Sequence, residues 1–168
     1  MNRSIPPKPD ELEISIFGPG RGECILLHLG VNEWCVVDSC MARGTREPVA
    51  LEYLRSLNND ALNGLKLVVA THWHDDHIGG LASLLRLAPH ARFSCSMALR
   101  SSEFQTLVSI VPNAIQGRSG VDEFATILEL LLERANARAA QNRALESPMW
   151  ATENRRLLHM TEPARPFP

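Results

Sequence analysis

The sequence lacks the long apolar segments that mark membrane-spanning and exported chains. No apolar run approaches the roughly 20 residues that a membrane helix requires, and the first ten residues, MNRSIPPKPD, contain no apolar signal-peptide core. We therefore expect a protein without a membrane partner. Of the 168 residues, 45% are apolar and 21% are charged. This ordinary globular composition excludes a disordered, collagen-like or coiled-coil protein.

The chain also lacks an excess of charge and the cysteine spacing of a CxxC framework. Seventeen basic residues against 19 acidic residues give a net charge of −2, so no global field attracts nucleic acid or anionic lipid. The four cysteines are Cys24, Cys35, Cys40 and Cys95. Their spacing is typical of reduced, mostly buried thiols, and we expect a cytoplasmic protein.

Apolar periodicity predicts a small sheet followed by alternating helices and strands. Strands are predicted at residues 12–17, 24–29, 34–37, 65–71 and 92–97. Helices are predicted at about residues 49–57, 78–88, 102–111 and 119–145. The second and third strands form a predicted hairpin, and the chain after Pro148 is expected to be turn-rich. This order predicts an α/β (α+β) fold, in which helices pack on one or both faces of a mixed sheet of about five strands.

A cluster of metal-ligand residues stands where a buried strand meets a helix, in the segment THWHDDHIGG at residues 71–80. In extended backbone, His72 and His74 can face one way and grip one metal. Asp76 and His77 lie where the chain turns into the helix and can reach a second metal. Imidazoles with a carboxylate suit zinc, and other divalent metals remain open. A solvated polar loop rarely holds four ligand residues in this register, so a metal site is favoured.

The motif HWHDDH, at residues 72–77, resembles the HxHxDH signature of the metallo-β-lactamase fold, a superfamily of αββα metallohydrolases. Upstream, GPGRGECILL at residues 18–27 and WCVVDSC at residues 34–40 are similar to the opening of its ComEC-like branch. That branch is named for a DNA-uptake protein whose soluble domain resembles a nuclease. The resemblance covers about residues 12–112. It implies the N-terminal portion of a metallo-β-lactamase αββα sandwich, with a mixed sheet and flanking helices.

The resemblance also implies a role for each residue of the motif. His72 and His74 would bind a first zinc ion, and Asp76 and His77 would bind a second. A zinc-bound hydroxide bridging the two ions would be the nucleophile, with Asp76 beside it as the catalytic proton acceptor. Asp38, at a strand end, resembles the acid that supports the metal loop through hydrogen bonds. A strand-terminating Asx turn explains Asp38 equally well.

The expected function is metal-dependent hydrolysis, with a phosphodiester of a nucleic acid or nucleotide as the preferred substrate. Hydrolysis of another ester, a thioester or a lactam is an alternative, because the same chemistry attacks any polarised carbonyl. Arg21, in the glycine-rich loop at residues 18–22, is a candidate contact for an anionic substrate. A solvated arginine is the simpler interpretation of that residue.

The second half of the chain departs from the family pattern. Family members complete the site there with a third histidine, a bridging aspartate and a last histidine. After the motif this chain has only His90 and His159, and after Asp122 it has no aspartate. Glu153 and Glu162 could replace a bridging carboxylate, but neither stands in a family-like context.

This shortfall predicts an incomplete domain. We expect an extended lead-in at residues 1–10 and a single metallo-β-lactamase-like domain at residues 11–168 that lacks the second half of the ligand set. The chain can belong to a longer hydrolase, or a second copy in a homodimer can complete its site. The alternative is a non-catalytic half-domain that binds a partner. In each case the sheet should expose an apolar face.

Overall fold

The computed structural model describes residues 5–18, 20, 22–57, 60–100, 120–141 and 148–158. The helix predicted at residues 102–111 and the end of the last predicted helix beyond residue 141 lie outside these residues. The same holds for three candidate site residues, which are Arg21, His159 and Glu162.

Six strands of the described residues form one mixed sheet, in which the spatial order follows the chain. They are β1 (Glu13–Phe17), β2 (Cys24–His28), β3 (Trp34–Val37), β4 (Leu65–Ala70), β5 (Arg92–Ser96) and β6 (Met149–Ala151). Strands β1, β2 and β3 pair antiparallel, and the pairs from β3 to β6 are parallel. The predicted hairpin is confirmed. Its turn places Val31 and Asn32 in the left-handed region, at φ +47° and +58°.

Four α-helices of the described residues accompany the sheet. They are α1 (Val49–Leu57), α2 (Asp75–Ile78), α3 (Leu81–Leu87) and α4 (Gly120–Ala139). Short 3₁₀ turns at Ala61–Gly64 and Met97–Arg100 stand before β4 and after β5. The predicted α/β class, a mixed sheet with flanking helices, is confirmed. Within the described segments, no helix combines the length and the apolar character needed to cross a bilayer.

Two details differ from the sequence prediction. The sheet has a sixth strand, β6, directly after Pro148, where a turn-rich segment was expected. Three residues are too few to show an apolar period, so pairing with β5 decides their conformation; the Ser94 hydroxyl also donates to the Met149 carbonyl at 2.8 Å. The helix predicted at residues 78–88 is divided into α2 and α3, because Gly80 adopts φ +85° and breaks the helical path.

The core lies between the helices and one face of the sheet. Leu54 of α1, Leu84 of α3 and Phe124 of α4 are fully buried in one cluster with the sheet. The Phe124 ring packs edge-on against Phe93 of β5, with 6.3 Å between ring centroids. Burial of each such side chain contributes roughly 1.5–3 kcal/mol to folding. This packing fixes the helices relative to the strand ends that carry the motif.

The opposite face of the sheet is open at the β1 edge. Tyr53 of α1 packs against Phe17 and donates its hydroxyl to Glu13 at 2.7 Å, so these β1 side chains point to the helical face. Ile14 and Ile16 therefore point the other way, and they are 58% and 74% exposed. An apolar strip consequently lies uncovered on the face away from the helices.

The four cysteines are free and buried, as their spacing predicted. Burial raises the pKa of Cys24 to about 12, of Cys35 to about 11 and of Cys95 to about 12. Burial, followed by the nearby Glu23 carboxylate, also raises the pKa of Cys40. These thiols are protonated at neutral pH and serve as small apolar core residues.

Candidate metal centre

The motif lies at the carboxyl ends of two neighbouring parallel strands. Asp38 directly follows β3, and Thr71 directly follows β4. The backbone N–H of Ser39 donates to the His77 carbonyl at 2.7 Å, so the loop at residues 72–80 is fastened to the end of β3. Open α/β sheets bind ligands at the carboxyl ends of their strands. The fold thus places the motif where this class of protein holds its ligands.

Asp38 connects the two ends of the motif. Asp38 is 3% exposed, and its carboxylate accepts three hydrogen bonds. The donors are the backbone N–H of Thr71 at 2.7 Å, the Thr71 hydroxyl at 2.5 Å and Nδ1 of His77 at 3.1 Å. All three partners lie more than 30 residues along the chain, so the side chain braces the motif from a neighbouring strand. A buried carboxylate requires such donors to offset its lost hydration.

These bonds determine which ring nitrogen of each imidazole carries the proton, an assignment that follows from the hydrogen-bond network. The Thr71 hydroxyl gives its proton to Asp38, so it must accept from Nδ1 of His72, which lies 2.8 Å away. His77 donates from Nδ1 directly to Asp38. Both rings are therefore Nδ1–H tautomers, and both keep an Nε2 lone pair that can bind a metal.

Several side chains of the motif lie close to one another. One ligand atom each of Asp38, His72 and His77 lies within 4.8 Å of the others. The rings of His72 and His77 have centroids 3.8 Å apart, and the His74 ring lies 5.0 Å from that of His72. Oδ2 of Asp76 is 3.9 Å from Nε2 of His77. The structure thus groups His72 and His77 with Asp38, while His74 contacts His72 through its ring and Asp76 approaches His77 through its carboxylate.

The residues present fit a divalent metal ion. Two ligand atoms bound to one tetrahedral zinc ion at 2.0–2.2 Å lie about 3.4 Å apart, so the Asp76–His77 pair needs to move by only about 0.5 Å. Asp38 already accepts three bonds and can take few more. Its geometry therefore suits support of the imidazoles better than direct ligation. Nitrogen and oxygen donors of this kind suit zinc and related ions.

The glycine-rich loop packs against the motif and brings a carboxylate that the sequence did not single out. Gly22 adopts φ +81°, and a Cβ there would overlap the carbonyl oxygen of Asp76. The next residue, Glu23, places Oε1 3.9 Å from Nδ1 of His77 while its side chain stays 62% exposed. Its signal in the sequence was an acidic residue directly after this loop. Glu23 thus adds negative charge at the mouth of the cluster.

Two other residues weighed from the sequence lie away from the cluster. His90 is exposed and directly precedes β5, which pairs parallel to β4 with Arg92 opposite Leu67. It therefore lies at the amino ends of these strands, whereas the motif lies at the carboxyl ends. Glu153 is exposed beyond β6, two strands from β4 and hence about 10 Å away across the sheet. Among the described residues, the group of potential ligand atoms that lie within 4.8 Å of one another comprises Asp38, His72 and His77.

Comparison with known proteins gives a family match. Residues 17–132, more than two thirds of the chain, match the profile of the Metallo-beta-lactamase superfamily. Over 95 residues the chain is 28% identical to the UPF0173 metal-dependent hydrolase SSO0099 of Saccharolobus solfataricus. That match covers 54% of this chain and 39% of the relative. The chain therefore spans about two fifths of the length of this relative.

Two solved structures are similar in part. The metallo-beta-lactamase SMB-1, bound to 2-mercaptoethanesulfonate, is 24% identical with a TM-score of 0.38, over 48% of this chain and 29% of SMB-1. The diflavin flavoprotein A 5 fragment 1–254 from Nostoc sp. PCC 7120 is 16% identical with a TM-score of 0.34, over 65% of this chain and 52% of that fragment.

Proposed function

The chain belongs to the metallo-beta-lactamase superfamily, and from this premise we propose that it acts as a metal-dependent hydrolase through its motif residues. The proposed ligands are His72, His74, Asp76 and His77. The observation that carries the proposal is the pair of Nε2 lone pairs left available on His72 and His77 by their bonds to Thr71 and Asp38. A polar loop that binds no ligand would not require hydrogen bonds that orient His72 and His77 beside the carboxylate of Asp76.

We propose two zinc ions as the natural complement, one held by His72 and His74 and the other by Asp76 and His77. A bound divalent ion supplies Lewis acidity, which polarises the bond to be cleaved and strengthens water as a nucleophile near neutral pH. The protein's own contribution is to hold the metal ligands and to orient them. Asp38 fixes the imidazole tautomers. Asp76, whose side chain is 46% exposed, can accept a proton at the carboxylate oxygen that does not bind the ion.

For the substrate we propose a phosphodiester of a nucleic acid or nucleotide. Support comes from the segments at residues 18–27 and 34–40, which are similar to the opening of the ComEC-like branch. Arg43 lies beside this loop, with Nη2 3.1 Å from the Cβ position of Gly20. Arg43 would supply a cationic group beside this loop for a phosphate, and Arg21 stays the candidate contact that the sequence suggests.

A non-catalytic, partner-binding half-domain is the second candidate. It is favoured by the extent of the match, 39% of the relative's length, and by the lack of any aspartate after Asp122. In either case we propose that residues 11–168 form one domain. For the hydrolase, we propose that a further segment or a second copy supplies the remaining ligands. Catalytic zinc usually has three protein ligands per ion, and the motif provides two for each.

Metal binding and hydrolysis by the full chain separate the two candidates. The protein is titrated with zinc, and turnover is followed on bis(p-nitrophenyl) phosphate, a p-nitrophenyl carboxylic ester and a chromogenic lactam. We expect metal binding, with turnover on the phosphodiester that Asp76→Asn lowers by about 10²-fold or more. His77→Ala should remove the zinc ion that Asp76 and His77 hold. His90→Ala, which removes an exposed histidine at the amino ends of the strands, is the matched control and should change neither metal binding nor turnover.

Each outcome points to one candidate. Metal binding without turnover on any ester supports the half-domain. Turnover on the carboxylic ester or the lactam alone replaces the phosphodiester with another substrate class. Absence of metal binding, or turnover that Asp76→Asn leaves unchanged, contradicts the proposed hydrolase.

A further inference from the structure

The N-terminus of α4 contacts the middle of the metal motif. The backbone N–H of Gly120 donates to the carboxylate of Asp75, one of the two motif residues that the HxHxDH signature leaves unspecified. A Cβ at Gly120 would overlap the carbonyl oxygen of Trp73 and lie 3.1 Å from the backbone nitrogen of Asp75. Helix α4 therefore touches the motif at its backbone and at one side chain. The two parts are 45 residues apart in sequence.

Helix α4 is itself fastened along α3, the helix that follows the motif. Near the start of α3, Glu123 Oε1 accepts from the backbone N–H of Ala82 at 2.9 Å. At the other end, the Arg134 guanidinium donates to the carbonyls of Leu85, Ala88 at 3.1 Å and Ala91 at 2.9 Å. An acid at the amino end and a base at the carboxyl end of α3 both suit its dipole. The contact at Gly120 is thus made by an anchored element.

Asp75 lies between two of the proposed ligands, and its own side chain is turned to α4. His74 is the N-cap residue of α2 at φ −67° and ψ 146°. Its side chain makes no capping hydrogen bond, so capping does not compete with metal binding for the ring. Asp75 is the next residue and begins α2. Any rotation of the backbone at Asp75 would therefore redirect both His74 and Asp76.

We propose that Asp75 is a positioning residue, whose bond to the Gly120 N–H fixes the directions of His74 and Asp76 for metal binding. The inference rests on the proposed function, because it concerns the same ligands. Loss of a supporting hydrogen bond typically lowers metal affinity 10- to 100-fold. A carboxylate that accepts from an amide at a helix N-terminus is also favoured by the helix dipole.

Four variants of the full chain test the inference. Asp75→Ala removes the acceptor, Asp75→Asn keeps an acceptor oxygen without the charge, and Gly120→Ala pushes a methyl group into the Trp73 carbonyl. Glu129→Ala, which removes an exposed acid in the middle of α4, is the control for loss of one negative charge. Zinc affinity is measured by competition with a chromophoric chelator. The visible absorption of the cobalt-loaded protein reports ligand geometry, and thermal denaturation of the metal-free protein reports folding.

We expect Asp75→Ala and Gly120→Ala to weaken zinc binding at least 10-fold and to change the cobalt spectrum. Asp75→Asn should stay within about 3-fold of the wild type, and Glu129→Ala should not differ from it. Equal losses in Asp75→Asn and Asp75→Ala would assign the effect to charge and overturn the inference, as would a wild-type affinity in Asp75→Ala. An Asp75→Ala protein that fails to fold would make Asp75 a stability residue and equally overturn it.

The two proposals fail in different ways. If the wild-type chain binds no zinc, the proposed function fails and the inference falls with it. If the wild type binds zinc and Asp75→Ala binds it equally well, only the inference fails.

Discussion

Replacing Asp38 by asparagine should invert the tautomers of both buttressed imidazoles. Asn is nearly the same size and tolerates the left-handed backbone at this position, φ +57°. Its remaining oxygen can keep the bond to the Thr71 N–H, while an amide NH₂ replaces Oδ2. That NH₂ must donate, so Nδ1 of His77 becomes an acceptor. The Thr71 hydroxyl then turns its proton to His72, and both rings place their proton on Nε2.

The magnitude follows from the number of imidazoles affected. Loss of one supporting partner lowers metal affinity 10- to 100-fold, and Asp38→Asn disturbs two rings at once. We therefore expect at least a 100-fold loss of zinc affinity, equivalent to about 2.7 kcal/mol. Stability of the metal-free protein should change less. Lost charge-assisted bonds, roughly 1.5–3 kcal/mol each, are offset in part because a 3% exposed carboxylate no longer needs to be desolvated.

Imidazole nitrogen chemical shifts of the metal-free protein report the tautomers directly. In the wild type, His72 and His77 should show protonated Nδ1, and in Asp38→Asn they should show protonated Nε2. Chelator competition measures the affinity of the same samples. Asp60→Asn is the matched control, since Asp60 is an exposed carboxylate before β4 that also accepts a side-chain bond, from Asn32 at 3.3 Å. Wild-type rings protonated at Nε2, or an Asp38→Asn protein with unchanged affinity, would refute the reasoning.

Three further predictions concern the same structure. Thr71→Val removes the hydroxyl that links Asp38 to His72 alone, so zinc affinity should fall about 10-fold, less than in Asp38→Asn, as chelator competition will show. Arg134→Met keeps the aliphatic stem but removes the donors to the end of α3, and chemical denaturation should show a loss of about 1–3 kcal/mol; a smaller change would mean that water replaces the guanidinium. The folded pKa of Cys95 is raised to about 12 from 9.0, so the unfolded chain binds fewer protons between these values. The protein's free energy of unfolding should therefore fall as pH rises above 9, by up to about 1.4 kcal/mol per pH unit for this thiol. Below pH 9 this thiol should contribute no pH dependence. In a Cys95→Ala variant, compared by denaturant titration at several pH values, the part of the slope due to Cys95 should be absent.

Local pattern was sufficient to predict the first five strands and to locate the motif between β4 and the helix that follows it. The alternation in β1 and the apolar runs of β2 and β4 are each visible within a few residues, and so is the motif. Contacts between segments that are distant in sequence could not be predicted from local pattern alone. The bond from Asp38 to Thr71 joins residues 33 apart, and it was anticipated only through the family resemblance, with an Asx turn as an equal alternative.

Other contacts left no readable trace in the sequence. The three residues of β6 are too short to show a period, and their strand conformation depends on the neighbouring β5. The contact between Asp75 and Gly120 depends on how α4 packs against α3. A glycine at the start of a helix is compatible with many surroundings, so the sequence could not indicate what lies against it.

Zinc-edge X-ray absorption of the zinc-loaded chain tests the central claim most directly, because it reads the atoms around the metal. The account predicts imidazole scattering from histidine nitrogens at about 2.0–2.1 Å, which disappears when His72 and His77 are both replaced by alanine. A zinc environment made only of water or sulfur, or one that the double replacement leaves unchanged, would contradict it.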